Sequence, residues 1–583
     1  IIPLRSQSGV VRDGTQLGNE SYIDALWARF QRGLPRKMGG YRSVNRYIQA
    51  IPRALHDYAL NNLIYMHAGS AARLERLTLD GTLNTSIITD RTPAALTASV
   101  DNIWQFDVAQ KVGTGLQIVA QAAPNLTDIA NNTGGQVFYG SITGTGALTQ
   151  VTYPAAYSAT GGVVYLAPYA MVFGSAGFVM WSPDPTDFTV SGAGNAYVTG
   201  QKIVRGLPLR AGGGNSPAGL LWSLDSLVRA TYVGGTPVFQ FDTLTAQSSI
   251  LSPRSVIEYD GIYYWLGTDR MLAFNGVVRE VPNNYNVDFF YDNLNRDQAQ
   301  KVFAFKVPRF GEIWWCFPKG EATEPNHAIV FNVRENVWYD TPLPGGGRSA
   351  ATFSPTISRP IASGVAPLDY ICSAAAVSAA GTGYAVGNVL SVVGGTASIP
   401  VELTVATVGG GGSIATVAVT NAGQYTVTPT NPASVTGGAG SGATFTPTFA
   451  RPFNLWAHET GLDRIDGSDI QPIQSYFETG DISIPVNLPI LNPPANRSLT
   501  VAAIEPDFNQ IGDMTVTVTG RSNARAEDVE SEPVSFGEDT EMIHLKAQRR
   551  QLRFRFESNA VGGYYEMGMC LAHVRAGDGR TRT

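Results

Sequence analysis

Six histidines, His56, His67, His327, His458, His544 and His573, are the residues most able to hold a metal or move a proton, and their spacing supports neither task. None forms an HExxH or HxH pair and none adjoins a cysteine, so no zinc-type ligand set is visible. Asp463, Asp466 and Asp469 surround Gly467 and could offer oxygens to calcium. Their spacing departs from the EF-hand loop and the distal Glu is missing, so a polar turn between strands is the expected use. Asp184 and Asp187, in Ser182-Pro183-Asp184-Pro185-Thr186-Asp187, could be offered as a carboxylate pair for glycoside cleavage. The prolines beside them predict a rigid turn instead. Gly409 to Gly412 lack a following Lys-Ser/Thr and read as a hairpin tip, not a phosphate loop. No Gly-x-Ser-x-Gly elbow occurs. Cys316, Cys372 and Cys570 are far apart, without a CxxC, which argues against a disulfide framework or a zinc site and fits a reducing cytoplasm. The nine tryptophans could stack sugars, but most aromatics sit in strand-like runs where packing is the expected role. No catalytic residue, cofactor or metal ligand is assigned, and the chain is expected not to be an enzyme.

The elements that carry these residues are short strands. Charged residues make up only 15% of the 583, well under the usual quarter, while Gly (63) and Pro (34) punctuate Thr-, Val- and aromatic-rich runs. The net charge of −6 argues against a nucleic-acid binder, which normally shows a basic excess. The first thirty residues hold no apolar signal core, and no run of about eighteen apolar residues occurs, so neither export by a signal nor a membrane span is expected.

The fold class read from this pattern is all-β: a propeller-like body, an inserted Gly/Thr-rich β module and a C-terminal antiparallel β-sandwich. Residues 1–50, polar and rich in Arg and Gly, read as an N-terminal arm packing on another domain or subunit. Residues 51–372, completed by 451–480, form the propeller-like body of about six or seven blades of about forty-five residues; a double sandwich is the alternative. Tyr259-Asp260-Gly261-Ile262 predicts a two-residue hairpin turn, and Asn275-Gly276 a second. Residues 287–303 are the exception, with one or two short helices and Asn295 as an N-cap. Residues 373–450 contain no Lys, Arg or Trp and a single charge, Glu402, which marks an inserted module. Residues 481–583 form the sandwich, reached through a link rich in proline (Pro485, Pro489, Pro493, Pro494). Met514, Val516 and Val518 alternate there with Thr515, Thr517 and Thr519, which predicts one buried and one wet face.

Arg29-Phe30-Gln31-Arg32-Gly33-Leu34-Pro35-Arg36-Lys37-Met38-Gly39-Gly40-Tyr41 resembles a segment near the start of the nozzle (tail tubular protein B-like) family of short-tailed bacteriophages. Tyr259 to Gly267 with Phe274-Asn275-Gly276, and Gly311-Glu312-Ile313-Trp314-Trp315-Cys316-Phe317-Pro318, are similar to its blade signatures. Ile504 to Phe508 and Arg549 to Ser558 resemble its closing domain. The likeness spans most of the chain outside 373–450, which resembles Gly/Thr-rich modules of phage structural proteins through Gly381-Thr382-Gly383-Tyr384 and Gly387-Asn388. It implies a structural protein of the virion tail, assembled in the host cytoplasm as a ring, a homo-hexamer. The ring is implied to bind a tail adaptor and fibres or spikes and to enclose the DNA exit channel, DNA passing transiently. The alternative is a propeller tail spike that binds or cleaves glycans.

Arg549, Arg553 and Arg555 are expected on the wet face opposite Leu552, Phe554 and Phe556. Their partner is either DNA phosphate or the acidic run Glu527, Asp528, Glu530 and Glu532. A basic stripe in a conduit would retain DNA by counterion release, so pairing with the carboxylates, within the subunit or across a ring, is the expectation.

Overall fold

Asp260 and Gly261 take φ of 49° and 79°, the left-handed pair that a two-residue hairpin turn requires, and join Ile257–Tyr259 to Ile262–Leu266. Val278–Glu280 and Met271–Phe274 complete a four-stranded antiparallel sheet in simple up-and-down order. Five other sheets repeat that plan in the computed structural model. It describes residues 1–14, 21–83, 85–100, 102–122, 136–154, 159–209, 217–283, 286–343, 345, 347–365, 370–450, 453–483, 498–523 and 525–577. The proline-rich link falls outside the described residues.

In chain order the first strands of the six sheets are Pro52–Leu60, Trp104–Lys111, Gly162–Leu166, Ile203–Pro208, Ile257–Tyr259 and Phe303–Val307. Each leads a meander of four neighbours, the topology of a propeller blade. Apolar clusters join each blade to the next. Val119 and Val137 of the second blade meet Val163 and Val172 of the third, and Phe173 of the third meets Leu221 of the fourth. Trp222 of the fourth meets Trp265 of the fifth, with ring centroids 5.8 Å apart. Both faces of a blade are therefore covered, which is why Ile313-Trp314-Trp315-Cys316-Phe317 is continuously apolar instead of alternating. Trp315 packs toward the fifth blade, while its neighbour Trp314 enters the cluster on the opposite face.

A seventh sheet is built from distant parts of the chain. Ala350–Ser354 and Arg359–Val365 are followed by Phe453–His458 and then by Tyr41–Ile48, with the hairpin Arg464–Asp466 and Asp469–Gln471 added in parallel at the edge. The chain thus leaves this sheet after its second strand and returns for its third. The predicted helical exception is the seven-residue helix Val287–Asn293, followed by a 3-10 turn, Arg296–Lys301. Asn295 caps the turn, its side chain accepting from the Asp297 amide at 3.2 Å.

Two compact units divide the chain: 1–44, 53–362 and 456–583 in one, 45–52 and 363–455 in the other. Within the second unit Ile371–Thr382 pairs with Ser441–Ala450 over nearly its whole length, and Leu390, Leu403, Tyr425 and Phe445 fill a separate core.

The N-terminal residues pack on other parts of the chain as strands, several of them in the end domain's sheets and Tyr41–Ile48 in the seventh sheet. Ile2–Pro3 pairs with Leu571–Ala576, Asp24–Leu26 with Ser475–Glu478, and the hairpin Ala28–Gln31/Leu34–Lys37 extends the sheet of Tyr564–Met567. Polar composition concealed this. These strands pair with partners more than four hundred residues away, and by pairing they cover edges that would otherwise stand open. Tyr22, Phe30, Phe477, Phe508 and Phe556 share one core with the outer face of the sixth blade.

Candidate functional site

The basic strand near the C-terminus is only partly what its alternation implies. In Gln551–Ser558, Leu552, Phe554 and Phe556 are buried, and Arg553 and Arg555 occupy the opposite face. That face is covered at Arg553, which is 6% exposed. Arg553 Nε lies 3.0 Å from Glu478 Oε1, and its Nη2 pairs with Asp528. Arg555 stacks on the Tyr476 ring at 3.5 Å, and Tyr476 donates its hydroxyl to Asp24 at 2.9 Å. Arg549 is not on this face. It ends the preceding strand, Ile543–Arg549, and its Nη1 donates to the Gln548 carbonyl at 2.8 Å. The chain passes to another sheet at Arg550, so the period-2 count across 549–555 breaks there. Glu527, Glu530 and Glu532 are exposed and make no ion pair among the described residues. Of the seven charges singled out in sequence, the structure unites Arg553 and Asp528.

Stronger pairing joins the N-terminal strands to the propeller. Arg29, 1% exposed, places Nε 2.9 Å from Glu312 Oε1 and Nη1 3.0 Å from Glu459 Oε2. Its guanidinium lies 3.7 Å over the Phe310 ring. Glu312 also accepts from Trp314 Nε1 at 2.9 Å and from the Tyr339 hydroxyl at 2.6 Å. Burial raises the Glu312 carboxyl above its ordinary value despite the opposing pull of Arg29. A second junction centres on Asp340, fully buried, with Arg12 Nε at 2.7 Å and His327 Nε2 at 2.7 Å. Burial pushes this carboxyl up, but Arg12 and the His327 hydrogen bond outweigh it and hold it at about 2. Arg12 Nη2 also reaches Asp24 at 2.7 Å. The sequence offered one signal for the first network: Glu312 is a charge opening an otherwise apolar strand run.

Most of the remaining sequence candidates have structural partners among the described residues. The Asp463 carboxylate accepts from the Gly562 amide at 2.9 Å, while Asp466 and Asp469 flank Arg464. Asp184 caps Thr186 and meets Lys111 Nζ at 3.2 Å; Asp187 accepts from the Thr189 amide at 2.8 Å. His67 and His458 are buried beside Arg91 and Arg348, and burial, with those charges, pushes both rings well below the ordinary imidazole range. Gly410–Gly412 form the turn between Glu402–Val408 and Ile414–Asn421. Among the described residues no group of three His, Cys, Asp or Glu side chains could hold a metal ion. The three cysteines are free and buried.

The first strands of the blades face the propeller axis. Six of the seven line a cavity of about 330 Å3 there, with His56, Gln105, Arg205, Glu258, Lys306 and Thr352 among its wall. Gln105 bridges three blades, its Nε2 donating to Gly161 O at 2.6 Å and Val204 O at 2.8 Å.

The chain is a β-propeller fused to a β-sandwich. No protein-family model matches the sequence, and no curated protein does. Solved structures resemble the chain only loosely. BBS1N, in complex with ARL6DN and soaked with lead, is 8% identical, covering 56% of this chain and 93% of its own, with a TM-score of 0.35. The WD40 propeller domain of Doa1 is 8% identical, covering 55% and 93%, also at 0.35. Regucalcin, a calcium-binding protein from Agrobacterium tumefaciens, is 9% identical, covering 56% and 85%, at 0.27. At these scores the fold assignment rests on the strand pairing itself.

Proposed function

We propose that this chain is a structural virion protein forming the nozzle ring of a short phage tail. Six copies enclose the DNA exit channel, one side of the ring meeting a tail adaptor and the outside carrying fibres or spikes. The observation that carries this reading is how the Arg29–Tyr41 segment, the one most similar to the nozzle family, is used. Arg29 bonds Glu312 of the sixth blade and Glu459 beside the seventh. A Cβ on Gly39 would lie 2.5 Å from Glu459 Oε2, and one on Gly40 would lie 2.2 Å from the Asp463 carbonyl. The segment therefore locks the sandwich onto the propeller, which suits a part that must keep its shape while DNA passes. The mechanism is mechanical: heterologous contacts that close on themselves make a conduit, and a net charge of −6 disfavours retention of DNA.

The test is negative-stain microscopy of the purified chain together with a glycan-binding screen and hydrolase assays. Six-membered rings with an open lumen and no saccharide binding or cleavage support the nozzle. Trimers or monomers that bind or cleave a glycan would establish the spike and overturn this reading.

A further inference from the structure

Positive charge that no ion pair among the described residues neutralises accumulates on the propeller axis. Arg205, on Ile203–Pro208, and Arg254, ahead of Ile257–Tyr259, both line the axial cavity with His56, Lys306 and Glu258. Lys306 and Glu258 neutralise each other, Nζ lying 3.2 Å from Glu258 Oε2 and 2.8 Å from its carbonyl oxygen. Arg53 is likewise committed, to Glu324 at 2.6 Å. Neither Arg205 nor Arg254 has an ion pair among the described residues. The nearby carboxylates are engaged elsewhere. Asp57 accepts from Thr352 at 3.1 Å, and Asp107 accepts from the Val108 and Tyr165 amides at 2.8 and 2.7 Å while attracting Arg205 through space.

The polar atoms at the cavity are also under-used. Arg205 Nη1 reaches Gln105 Oε1 only at 3.5 Å, and Arg205 Nε and His56 Nε2 are buried with no hydrogen-bond partner among the described residues. Arg254 stands 5.2 Å from the Phe303 ring centre. Burial pushes Arg254 down to about 9, and the charges of Arg205 and Arg53 push the same way. Burial and then Arg205 lower His56 to about 4, so its ring is neutral and free to donate or accept. Two half-buried guanidiniums that repel each other across a cavity favour an anion between them.

The geometry points to a small-oxyanion site on the propeller axis, in which Arg205 and Arg254 clasp a phosphate-type group and His56 supplies a neutral hydrogen bond. Planar guanidiniums match tetrahedral oxyanions through paired N–H donors. A volume of about 330 Å3 admits inorganic phosphate, sulfate or a small phosphate ester. Phe106, Phe305 and Phe353 in the wall lower the local dielectric and strengthen the attraction. The bound anion ties the axial strands of the first, fourth and fifth blades together, a role independent of what the assembled protein does.

The experiment is isothermal titration of the full chain, dialysed into a chloride buffer, with inorganic phosphate, sulfate and glycerol phosphate at fixed ionic strength. Thermal melts of the wild type and of Arg205→Gln and Arg254→Gln accompany it, with exposed Arg32→Gln as control. The expected result is saturable one-to-one binding with a raised melting temperature, weakened at least tenfold in both cavity variants and unchanged in Arg32→Gln. Tighter binding of glycerol phosphate than of phosphate identifies an organic phosphate as the ligand; the reverse identifies the free anion. Absence of saturable binding by the wild type, or equal stabilisation of all four proteins, would overturn the proposal. If a cavity variant does not fold, the wild-type titration and the Arg32→Gln comparison still decide it.

Discussion

Thr352 donates its hydroxyl to the Asp57 carboxylate at 3.1 Å, and this bond joins the axial strand of the seventh blade to that of the first. The two residues are 295 positions apart, so the contact adds a side-chain link to the backbone pairing that places Tyr41–Ile48, just ahead of the first blade, in the seventh sheet. Thr352→Val keeps the shape of the side chain and removes the donor, leaving a partly buried carboxylate short of a partner. It is expected to cost about 1–3 kcal/mol, read as a lower urea midpoint with an unchanged slope. An unaltered midpoint would show that closure does not depend on this bond.

Arg29 sits between two carboxylates, and its loss is expected to be far more damaging than the loss of either. Arg29→Met leaves Glu312 and Glu459 facing each other in the core, at a cost of about 3–5 kcal/mol. Adding Glu312→Gln to that variant removes one of the stranded charges and is expected to restore part of the loss. Equilibrium denaturation of the two single variants and the double variant measures the coupling. Additive effects would contradict a shared network.

Asp340 predicts an acid-side dependence. Its carboxyl is held at about 2 in the folded protein, against roughly 3.9 when unfolded. The folded state binds this proton less tightly, so the stabilisation is complete above pH about 4 and is lost as the pH falls toward 2. The shift corresponds to about 3 kcal/mol. Asp340→Asn is expected to lower stability at pH 6 and to flatten the decline between pH 4 and 2, measured by urea titration at stepped pH. An identical acid slope in wild type and variant would assign the loss to other carboxylates.

Arg553 is expected to respond to the reversal of Asp528 and not to changes elsewhere in the acidic run. Arg553→Glu places a third carboxylate beside Glu478 and Asp528 and should lower the melting temperature of the end domain. Asp528→Lys in the same chain should recover part of it, whereas Glu530→Lys and Glu532→Lys should not, because those residues are exposed and make no ion pair among the described residues. Rescue by Glu530→Lys would mean that the pairing differs from the one described.

Local chemistry was the readable part of this sequence. Asp260-Gly261 set a hairpin because few other dipeptides tolerate two left-handed residues, and Asn295 announced the 3-10 turn it caps. Continuous apolar runs such as Ile313 to Phe317 signalled strands covered on both sides. What stayed hidden depends on distant partners. Ile2, Asp24 and Ala28 belong to sheets completed by residues near the C-terminus, and nothing local to 1–50 encodes that pairing. Arg205 and Arg254 look like ordinary strand and turn arginines until the propeller closes and brings them to one axis. Arg549 was misplaced because alternation is blind to a strand that changes sheets.

The central claim is a closed six-membered ring, and native mass measurement of the purified chain over a hundredfold range of concentration tests it most directly. A subunit of 62.2 kDa predicts a dominant species of six times that mass, persisting on dilution, with no open-ended series of larger forms. A monomer or trimer at every concentration would contradict the account.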